Sequence, residues 1–288
     1  MSTIGKPDLN YIVIGSPKCG TTSFCTLLGQ HPDVFITTPK EPRFFSEAIF
    51  LKERDWSWYA SLFESVNGEQ AVGEGTVNYT CSHYRQLADP QVIFEAYPDV
   101  KLIYMVRNPI ERTESHWLHS AIMGWPSDVP DFDNAVRNYG MFLNTSRYWS
   151  HINRYRAFFA DAQIHVIFFE DFVRDPKHIM RQAFEFIRVD PNFEVIEPNK
   201  PRNASKQPYI DSGLMRFVRQ HRVLQNLKKS CPVRFKTILT PIFKNKNLGH
   251  PQWNPVTLKW AINEIKYDAL AFLNFCNKPE DYWILDKN

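Results

Sequence analysis

The chain has 288 residues, of which 43% are hydrophobic, and its formal net charge at pH 7 is +3. A chain of this size can bury a sizeable core, in one large α/β domain or in two small ones. Because the net charge is so small, a general attraction to polyanions is excluded, and any preference for anions must be local.

The cellular setting is predicted from two absences in the sequence. No apolar run reaches the roughly eighteen residues that a membrane helix needs, and residues 1–10 are too short and polar for a signal peptide. The five cysteines contain no Cys-x-x-Cys pair, which predicts reduced thiols and no structural metal. We therefore expect a cytoplasmic protein without nucleic-acid or membrane partners.

The first predicted element is a buried strand that leads through a glycine turn into a helix. Residues 11–14 are four branched or aromatic residues in a row, as in a parallel strand covered on both faces. Gly15 and Gly20 bracket the turn, and Phe24 and Leu28 follow at helical spacing. This order points backbone N–H groups and a helix N-terminus at an anion, so it predicts a phosphate cradle.

The position of the lysine in this cradle differs from that in a nucleotide-triphosphate loop. In such a loop the second glycine is followed by lysine and then by a hydroxyl residue that holds magnesium. Here Thr21 follows Gly20, and the lysine stands inside the turn as Lys18. This arrangement favours a single short 5′ anion and no obligatory metal.

Residues 17–23, Pro-Lys-Cys-Gly-Thr-Thr-Ser, closely resemble the 5′-phosphosulfate loop of sulfotransferases that use 3′-phosphoadenosine 5′-phosphosulfate (PAPS). The cytosolic steroid and phenol branch usually has tryptophan at the position of Ser23, so the loop is more similar to the heparan-type and bacterial branches. The resemblance covers roughly residues 10–280 and implies a P-loop-type α/β fold, a parallel sheet flanked by helices on both faces. It also implies that the 5′ end of the nucleotide is bound by Lys18, Cys19, Gly20, Thr21, Thr22 and Ser23.

A short strand followed by a proline-punctuated segment is predicted over residues 34–45, which include Lys40 and Glu41. Alone, this Lys-Glu pair would most simply lie in a solvated loop. The segment is similar to the Lys-Glu-x-x-Phe-Phe sequence of heparan-type sulfotransferases, which implies that Glu41 is the general base and Lys40 an electrostatic helper. An alcohol needs such a base because it attacks sulfur poorly until its proton is accepted.

Two elements follow before the second anion motif. An aromatic stripe at helical spacing over residues 56–63 predicts a helix packed on the core. Residues 71–79 form an apolar entry into a glycine-rich turn that resembles the family's Gly-Glu-x-Thr-x-x-Tyr pattern on the acceptor side. This resemblance makes Glu74, Tyr79 and His83 acceptor-side candidates, with Glu74 and His83 in reserve for proton transfer. A lone histidine such as His83 is more often structural or exposed.

The second anion motif begins with a buried strand over residues 102–106. Arg107 stands at its carboxyl end, where open α/β sheets bind ligands. Asn108 and Glu111 predict an N-cap and a capping-box acid for the next helix. The segment closely resembles the family's 3′-phosphate motif, which implies that Arg107 and Ser115 bind the 3′-phosphate. A structural salt bridge is the alternative role for Arg107.

The remaining predicted elements support the fold without adding catalytic residues. They are a mobile loop over residues 125–138, a helix over 148–159, a strand over 164–172 with a helix after Asp175, and amphipathic helices over 214–229 and 257–275. Residues 199–206 concentrate positive charge without helix or strand periodicity. In the family a basic loop at about this place closes over the 3′-phosphate, which makes Arg202 and Lys206 candidates for nucleotide binding.

Together these features predict one α/β domain over residues 1–288 that transfers a sulfuryl group from PAPS, without metal, and releases 3′-phosphoadenosine 5′-phosphate (PAP). A small-molecule kinase that uses the same loop with ATP is the rival interpretation, and a non-catalytic nucleotide-binding module is a third. The presence of Lys40, Glu41, Arg107 and Ser115 favours sulfuryl transfer.

The acceptor is predicted from charge alone. A long polyanionic glycan calls for a broad basic groove, whereas the chain carries +3 overall and no obvious stripe of lysine or arginine. We therefore expect a small-molecule hydroxyl as acceptor, with a nitrogen acceptor or a glycan as alternatives.

Overall fold

The structure is a computed structural model that describes residues 5–46, 54–81, 88–123, 131–196, 209–211, 244–247 and 251–286. The strands are β1 (Tyr11–Gly15), β2 (Val34–Ile36), β3 (Ala71–Gly75), β4 (Lys101–Val106), β5 (Ile164–Phe168), β6 (Tyr209–Asp211) and β7 (Lys244–Asn247). The helices are α1 (Thr21–Leu28), α2 (Trp56–Ser61), α3 (Pro90–Ala96), α4 (Pro109–Met123), α5 (Phe132–Asn138), α6 (Met141–Asn144), α7 (Tyr148–Arg156), α8 (Phe169–Arg174), α9 (Pro176–Ile187) and α10 (Pro255–Phe275). Short 3₁₀ turns lie at Val77–Thr80 and Asp161–Gln163.

Strands β1 to β5 form one parallel sheet in the order β2-β3-β1-β4-β5. The central strand β1 places Tyr11 beside Gly73 on one neighbour and beside Lys101 on the other. The chain moves to one side of β1 for β2 and β3 and then to the other side for β4 and β5. Ligands of open α/β sheets bind at the carboxyl ends of the strands where this reversal occurs. The predicted fold class is confirmed.

Helices bury both faces of the sheet, which explains the unbroken apolar run of β1. Ile12 and Ile14 join a core cluster with residues of α3, α7 and α10. Tyr11 and Val13 point the other way and join a cluster with residues of α1 and α9. All four side chains are fully buried. A strand covered in this way needs no polar residues, so it shows no alternating pattern.

A buried carboxylate connects α10 to the start of α7. Asp268 accepts hydrogen bonds from the backbone N–H groups of Trp149 at 2.9 Å and Ser150 at 2.8 Å. These N–H groups belong to the first turn of α7, and the first N–H groups of a helix have no carbonyl acceptor within the helix itself. Asp268 therefore fixes α7 at its N-terminal end, where the side chain of Tyr148 reaches the edge of the sheet.

Two predicted boundaries were wrong. The second half of the loop predicted over residues 125–138 is helix α5, because Asp131 caps it through the N–H of Asn134 at 3.0 Å and Phe132 and Val136 bury its apolar side. The strand predicted over residues 164–172 ends at Phe168, where α8 begins. The predicted helices over 148–159 and 257–275 correspond to α7 and α10, whereas 214–229 lie outside the described residues.

Candidate active site

Three predicted segments meet at the carboxyl edge of the sheet. Lys18 follows β1, Glu41 lies in the segment after β2, and Arg107 follows β4. The N–H of Glu41 donates to the carbonyl of Gly75, the last residue of β3, at 3.1 Å. All three charged side chains are half-buried. The sheet thus brings the predicted 5′ site, the predicted base and the predicted 3′ site to one edge.

The cradle between β1 and α1 depends on two glycines. Gly15 has a φ of +146° and Gly20 a φ of +81°. A Cβ atom on Gly15 would lie 1.9 Å from Thr80 Oγ1, and one on Gly20 would lie 2.8 Å from Phe169 Cδ2. The helix begins at Thr21, so the N–H groups of its first turn have no carbonyl acceptor within it. These N–H groups and the helix dipole favour an anion here.

Substitution of Gly15 by alanine is expected to destabilise the fold strongly. The new methyl group would overlap Thr80 and adopt a left-handed φ, which together are expected to cost about 3 kcal/mol or more. Gly68 is a matched control, because it also has a positive φ of +96° but no atom within 4 Å of its Cβ position. Gly68→Ala should cost only about 1 kcal/mol. Urea unfolding of both variants measures the difference, and equal losses would contradict the close approach of Thr80.

Arg107 is oriented by its neighbours and keeps one donor available. Its Nη2 lies 3.0 Å from Glu111 Oε2, and its guanidinium lies 4.8 Å from the centre of the Phe169 ring. Its Nε is buried and has no acceptor among the described residues. A buried donor normally has a partner, so this one is available to a bound anion. Phosphate oxygens suit it, because guanidinium binds them in pairs.

The start of α4 is only partly as predicted. Asn108 Oδ1 accepts the N–H of Ile110 at 3.0 Å, which confirms the N-cap. The capping box is only half formed. The N–H of Glu111 donates to Asn108 Oδ1 at 3.3 Å, but the N–H of Asn108 donates to Glu170 Oε1 at 2.6 Å, and the Glu111 carboxylate pairs with Arg107. A carboxylate from α8 thus takes the place of the local one. This arrangement ties α8 to the corner that holds Arg107.

The 5′ cradle and the Arg107 corner lie close together. The ring of Phe169 packs close to Gly20 and lies 4.8 Å from the guanidinium of Arg107. Partial burial lowers the pKa of Lys18, and the nearby positive charge of Arg107 lowers this pKa further. Two half-buried cations that repel each other are stabilised by a ligand with negative charge at both ends.

Glu41 lies between two cations in an unusual backbone conformation. Its Oε1 is 3.2 Å from Lys40 Nζ, and its Oε2 is 3.4 Å from Arg43 Nη2. Glu41 and Arg43 have φ angles of +68° and +57°, in a region that residues other than glycine rarely adopt. Such conformations cost about 1–3 kcal/mol each and require support from the surrounding structure. The Glu41 side chain is 27% exposed, so it is partly open to solvent.

Glu74 is a buried carboxyl that receives three hydroxyl groups. Tyr59 and Tyr79 donate to its Oε1 at 3.1 and 2.7 Å, and Thr76 donates to its Oε2 at 2.6 Å. Glu74 and Tyr79 are both fully buried. Their positions fit a structural role better than the predicted acceptor-side roles.

The same hydroxyl groups support the loop that carries Glu41. Thr76 Oγ1 accepts the N–H of Arg43 at 3.2 Å, and the Tyr79 hydroxyl accepts the N–H of Phe45 at 3.2 Å. Both hydroxyl hydrogens are directed at Glu74, so their oxygens are free to accept from the loop. Glu74 thereby orients two groups that hold the backbone of residues 43–45.

Glu74 should make stability depend on pH. Burial raises its pKa from 4.5 to about 7, although the three hydroxyl groups oppose the shift. The folded state therefore binds the proton more tightly, and this stabilisation is fully present below about pH 4.5 and lost as pH rises to about 7. In the parent protein the free energy of unfolding should fall by about 3 kcal/mol as the pH rises through this range, and in Glu74→Gln this fall should be absent. Urea unfolding at several pH values tests this, with the exposed Glu194→Gln as control. A parallel pH profile for Glu74→Gln and the parent protein would contradict the assignment.

Two residues beside Glu41 were missed by the sequence predictions. Arg43 is in the loop itself, and its proximity to Glu41 in sequence was the available signal. His119 lies on α4 one turn after Ser115, and this four-residue spacing places both on one helix face. Partial desolvation and the charge of Lys18 lower the pKa of His119, while Glu41 opposes this shift. His119 thus has an exposed imidazole within electrostatic range of both Lys18 and Glu41.

Three predicted site residues lie outside the described residues: His83, Arg202 and Lys206. Their roles remain predictions. Within the described parts of the chain, no group of three or more histidine, cysteine, aspartate or glutamate side chains could hold a metal ion. None of the described helices is both long and apolar enough to cross a membrane.

The fold and site define a class of protein. It is a parallel α/β protein with a glycine turn and a helix N-terminus after its first strand and a half-buried arginine after its fourth. Residues 8–247 match the sulfotransferase domain family, and the chain belongs to this family.

Curated relatives and a solved structure agree with this family. The chain is 26% identical over 184 residues to human heparan sulfate glucosamine 3-O-sulfotransferase 6, an alignment covering 61% of this chain and 51% of that protein. It is 24% identical over 208 residues to mouse bifunctional heparan sulfate N-deacetylase/N-sulfotransferase 4, covering 65% of this chain and 23% of that protein. The chain thus spans about half or less of these relatives. A sulfotransferase structure from Alicyclobacillus acidocaldarius shares the fold, with a TM-score of 0.67 and 22% identity over 96% of this chain and 99% of that one.

Proposed function

We propose that the protein transfers the sulfuryl group of PAPS to a hydroxyl group and releases PAP. The observation that carries this proposal is the convergence of Lys18, Glu41 and Arg107 at one edge of the sheet. Two cations suited to phosphate groups lie at the same sheet edge as a partly exposed carboxylate. The membership of the sulfotransferase domain family supports the same reaction.

The residues at this edge of the sheet fit the donor nucleotide. Lys18 and the first-turn N–H groups of α1 suit the 5′-phosphosulfate, since both provide positive charge at a helix N-terminus. The buried, unpartnered Nε of Arg107 suits the 3′-phosphate, with Ser115 two turns along α4 as a second donor.

In the proposed step the acceptor oxygen attacks sulfur and its proton moves to Glu41. The new bond joins the acceptor oxygen to sulfur, and the bond between sulfur and the 5′-phosphate oxygen breaks. Negative charge then grows on that phosphate oxygen, where Lys18 stabilises it. Lys40 and Arg43 flank Glu41 and fix its direction. The protein supplies position and fixed charge, as in the related transfer of phosphoryl groups.

We favour the hydroxyl of a small molecule as acceptor. The support is the low overall charge of +3, which provides no general attraction to a long polyanion. A cytoplasmic location remains part of this proposal, and its support is the cysteine pattern of the sequence, which contains no Cys-x-x-Cys pair.

A glycan acceptor is the second candidate, and two observations favour it. The relatives described above are named for heparan sulfate. In addition, the sequence from Lys200 to Lys246 is rich in lysine and arginine and contains a single acidic residue, Asp211. The low net charge thus hides a local excess of positive charge, which suits a polyanionic acceptor.

A kinase is distinguished from a sulfotransferase by the ligand that stabilises the protein. A ligand that binds only the folded state raises the melting temperature. We expect PAP to raise it without metal and ATP with magnesium to have little effect. The reverse result would favour the kinase.

The acceptor is tested by product analysis. The protein is incubated with PAPS and either a metabolite extract or desulfated heparan chains, and products are searched by mass spectrometry for the gain of one sulfuryl group. A sulfated metabolite supports the small-molecule proposal, and a sulfated chain supports the glycan. PAP binding with no sulfated product from any acceptor class would favour a non-catalytic nucleotide-binding module.

A further inference from the structure

Tyr148 contacts both anion-binding segments. We propose that its hydroxyl group is a positioning group that fixes the distance between the cradle of Lys18 and the corner of Arg107. The inference deepens the proposed function, because it concerns how the two ends of one adenosine bisphosphate are bound together.

The contact with the Arg107 corner involves the backbone. Strand β4 ends at Val106, so Arg107 has left the sheet ladder. The Tyr148 hydroxyl donates to the carbonyl oxygen of Arg107 at 2.8 Å and accepts the N–H of Arg107 at 3.3 Å. One hydroxyl group therefore satisfies both backbone groups of the residue whose side chain faces the 3′ site.

The contact with the cradle involves Cys19, the residue after Lys18. Cys19 Sγ lies 3.8 Å from the Tyr148 oxygen. Burial raises the pKa of Cys19 to about 12, so the thiol keeps its hydrogen. This hydrogen can be donated to the carbonyl oxygen of Pro17, which lies 3.7 Å from the sulfur. The close contact of the sulfur with the Tyr148 hydroxyl group therefore joins Tyr148 to the cradle by packing of the two groups.

The support beneath Tyr148 is rigid. Its ring is fully buried and lies 6.0 Å from the ring of Tyr104 and 5.6 Å from the rings of Phe272 and Trp283. Tyr148 also begins α7, whose first N–H groups are bound by Asp268. The position of the hydroxyl group is thus fixed by the packing of the ring and by the contact of Asp268 with the start of α7, neither of which involves a ligand.

A fixed spacing matters only for a ligand that uses both corners. Adenosine 5′-monophosphate can engage the cradle alone, and adenosine 3′-monophosphate the corner alone. PAP gains additional affinity when both sites are already at the correct separation, because binding need not order them. Loss of the Tyr148 hydroxyl should therefore reduce this joint gain more than it reduces either single affinity.

Tyr148→Phe tests this, since it keeps the ring and removes only the hydroxyl. Affinities for PAP and the two monophosphates are measured by calorimetry without metal. We expect the Kd of PAP to rise about tenfold, the consequence of one lost buried hydrogen-bond group. The Kd of each monophosphate should change by less than about threefold, because the substitution removes no hydrogen bond to the ligand itself.

Tyr155→Phe is the matched control. Tyr155 is also fully buried on α7, and its hydroxyl donates to the carbonyl of Tyr79 at 3.0 Å. The Tyr155→Phe substitution should lower the melting temperature without changing the ratio of the PAP affinity to the monophosphate affinity. The same ratio change in both variants, or an unchanged ratio in Tyr148→Phe, overturns the inference.

A second variant keeps the test open if Tyr148→Phe does not fold. Cys19→Ala removes the sulfur that contacts both the Tyr148 hydroxyl group and the Pro17 carbonyl, and it should reduce the joint gain by about threefold, since contacts of sulfur are weak. Retention of the full gain in Cys19→Ala would also overturn the inference. If the parent protein does not bind PAP, the proposed function fails instead, so the two failures are distinct.

Discussion

Replacement of Glu41 by glutamine is expected to abolish sulfuryl transfer while PAP binds almost as in the parent protein. The amide keeps the shape of the side chain but cannot accept the proton of the acceptor. A positioned general base contributes about 10²–10⁴-fold to the rate, so turnover should fall by at least this range. Initial rates with PAPS and a responsive acceptor, together with calorimetry of PAP, separate chemistry from binding.

The control for this substitution is Glu64→Gln. Glu64 is exposed and lies beyond α2, so the same change of charge there should leave the rate unchanged. Near-normal turnover by Glu41→Gln would contradict the assignment. His119 would then be the first alternative among the described residues, because it lies within electrostatic range of both Lys18 and Glu41. His83 would be the second.

Replacement of Arg107 by methionine is expected to weaken PAP binding about 100-fold or more. Loss of one member of a partly buried, hydrogen-bonded charge pair typically costs 2–5 kcal/mol, at about 1.4 kcal/mol per factor of ten. The loss should depend on the 3′-phosphate. Adenosine 5′-monophosphate, which has none, should bind to Arg107→Met and to the parent protein with affinities within about threefold of each other, since the 5′ contacts are retained.

An exposed arginine controls for the change in net charge. Arg181 lies on the solvent side of α9, and Arg181→Met should not alter either affinity. If Arg107→Met weakened the bisphosphate and the monophosphate equally, Arg107 would be supporting the cradle as a whole. The 3′-phosphate assignment would then be wrong.

Local sequence patterns predicted the elements that are formed by local contacts. The apolar run before Gly15 and the run before Arg107 are each long enough to mark a strand buried on both faces. Gly15 and Gly20 marked the turn because only glycine fits beside Thr80 and Phe169. These features predicted the strand ends after which Lys18 and Arg107 lie, whereas their roles in anion binding stay predictions.

Long-range contacts explain what the sequence did not show. Glu74 was a reserve base because residues 71–79 resemble the family's Gly-Glu-x-Thr-x-x-Tyr pattern. Its environment in the structure depends on hydroxyl groups that include that of Tyr59 from α2. The capping box is only half formed because Glu170, far along the chain, reaches the N–H of Asn108. Neither contact has a signal in the local periodicity.

The two errors in helix prediction have a different origin. Residues 168–169 are both phenylalanine, and adjacent aromatic residues extend a strand pattern even though Phe169 starts α8. The short helix α5 has only seven residues, so its apolar positions are too few for a clear period. Its Asp131 cap was the signal that could have indicated it.

The central claim is that one adenosine bisphosphate joins the cradle to the Arg107 corner, and a crystal structure of the protein with PAP tests it most directly. The account predicts a single nucleotide, with its 5′-phosphate at Lys18 and the N–H groups of α1 and its 3′-phosphate at Arg107 and Ser115. A nucleotide that leaves either Lys18 or Arg107 without a phosphate, or two separate molecules at the two sites, would contradict it.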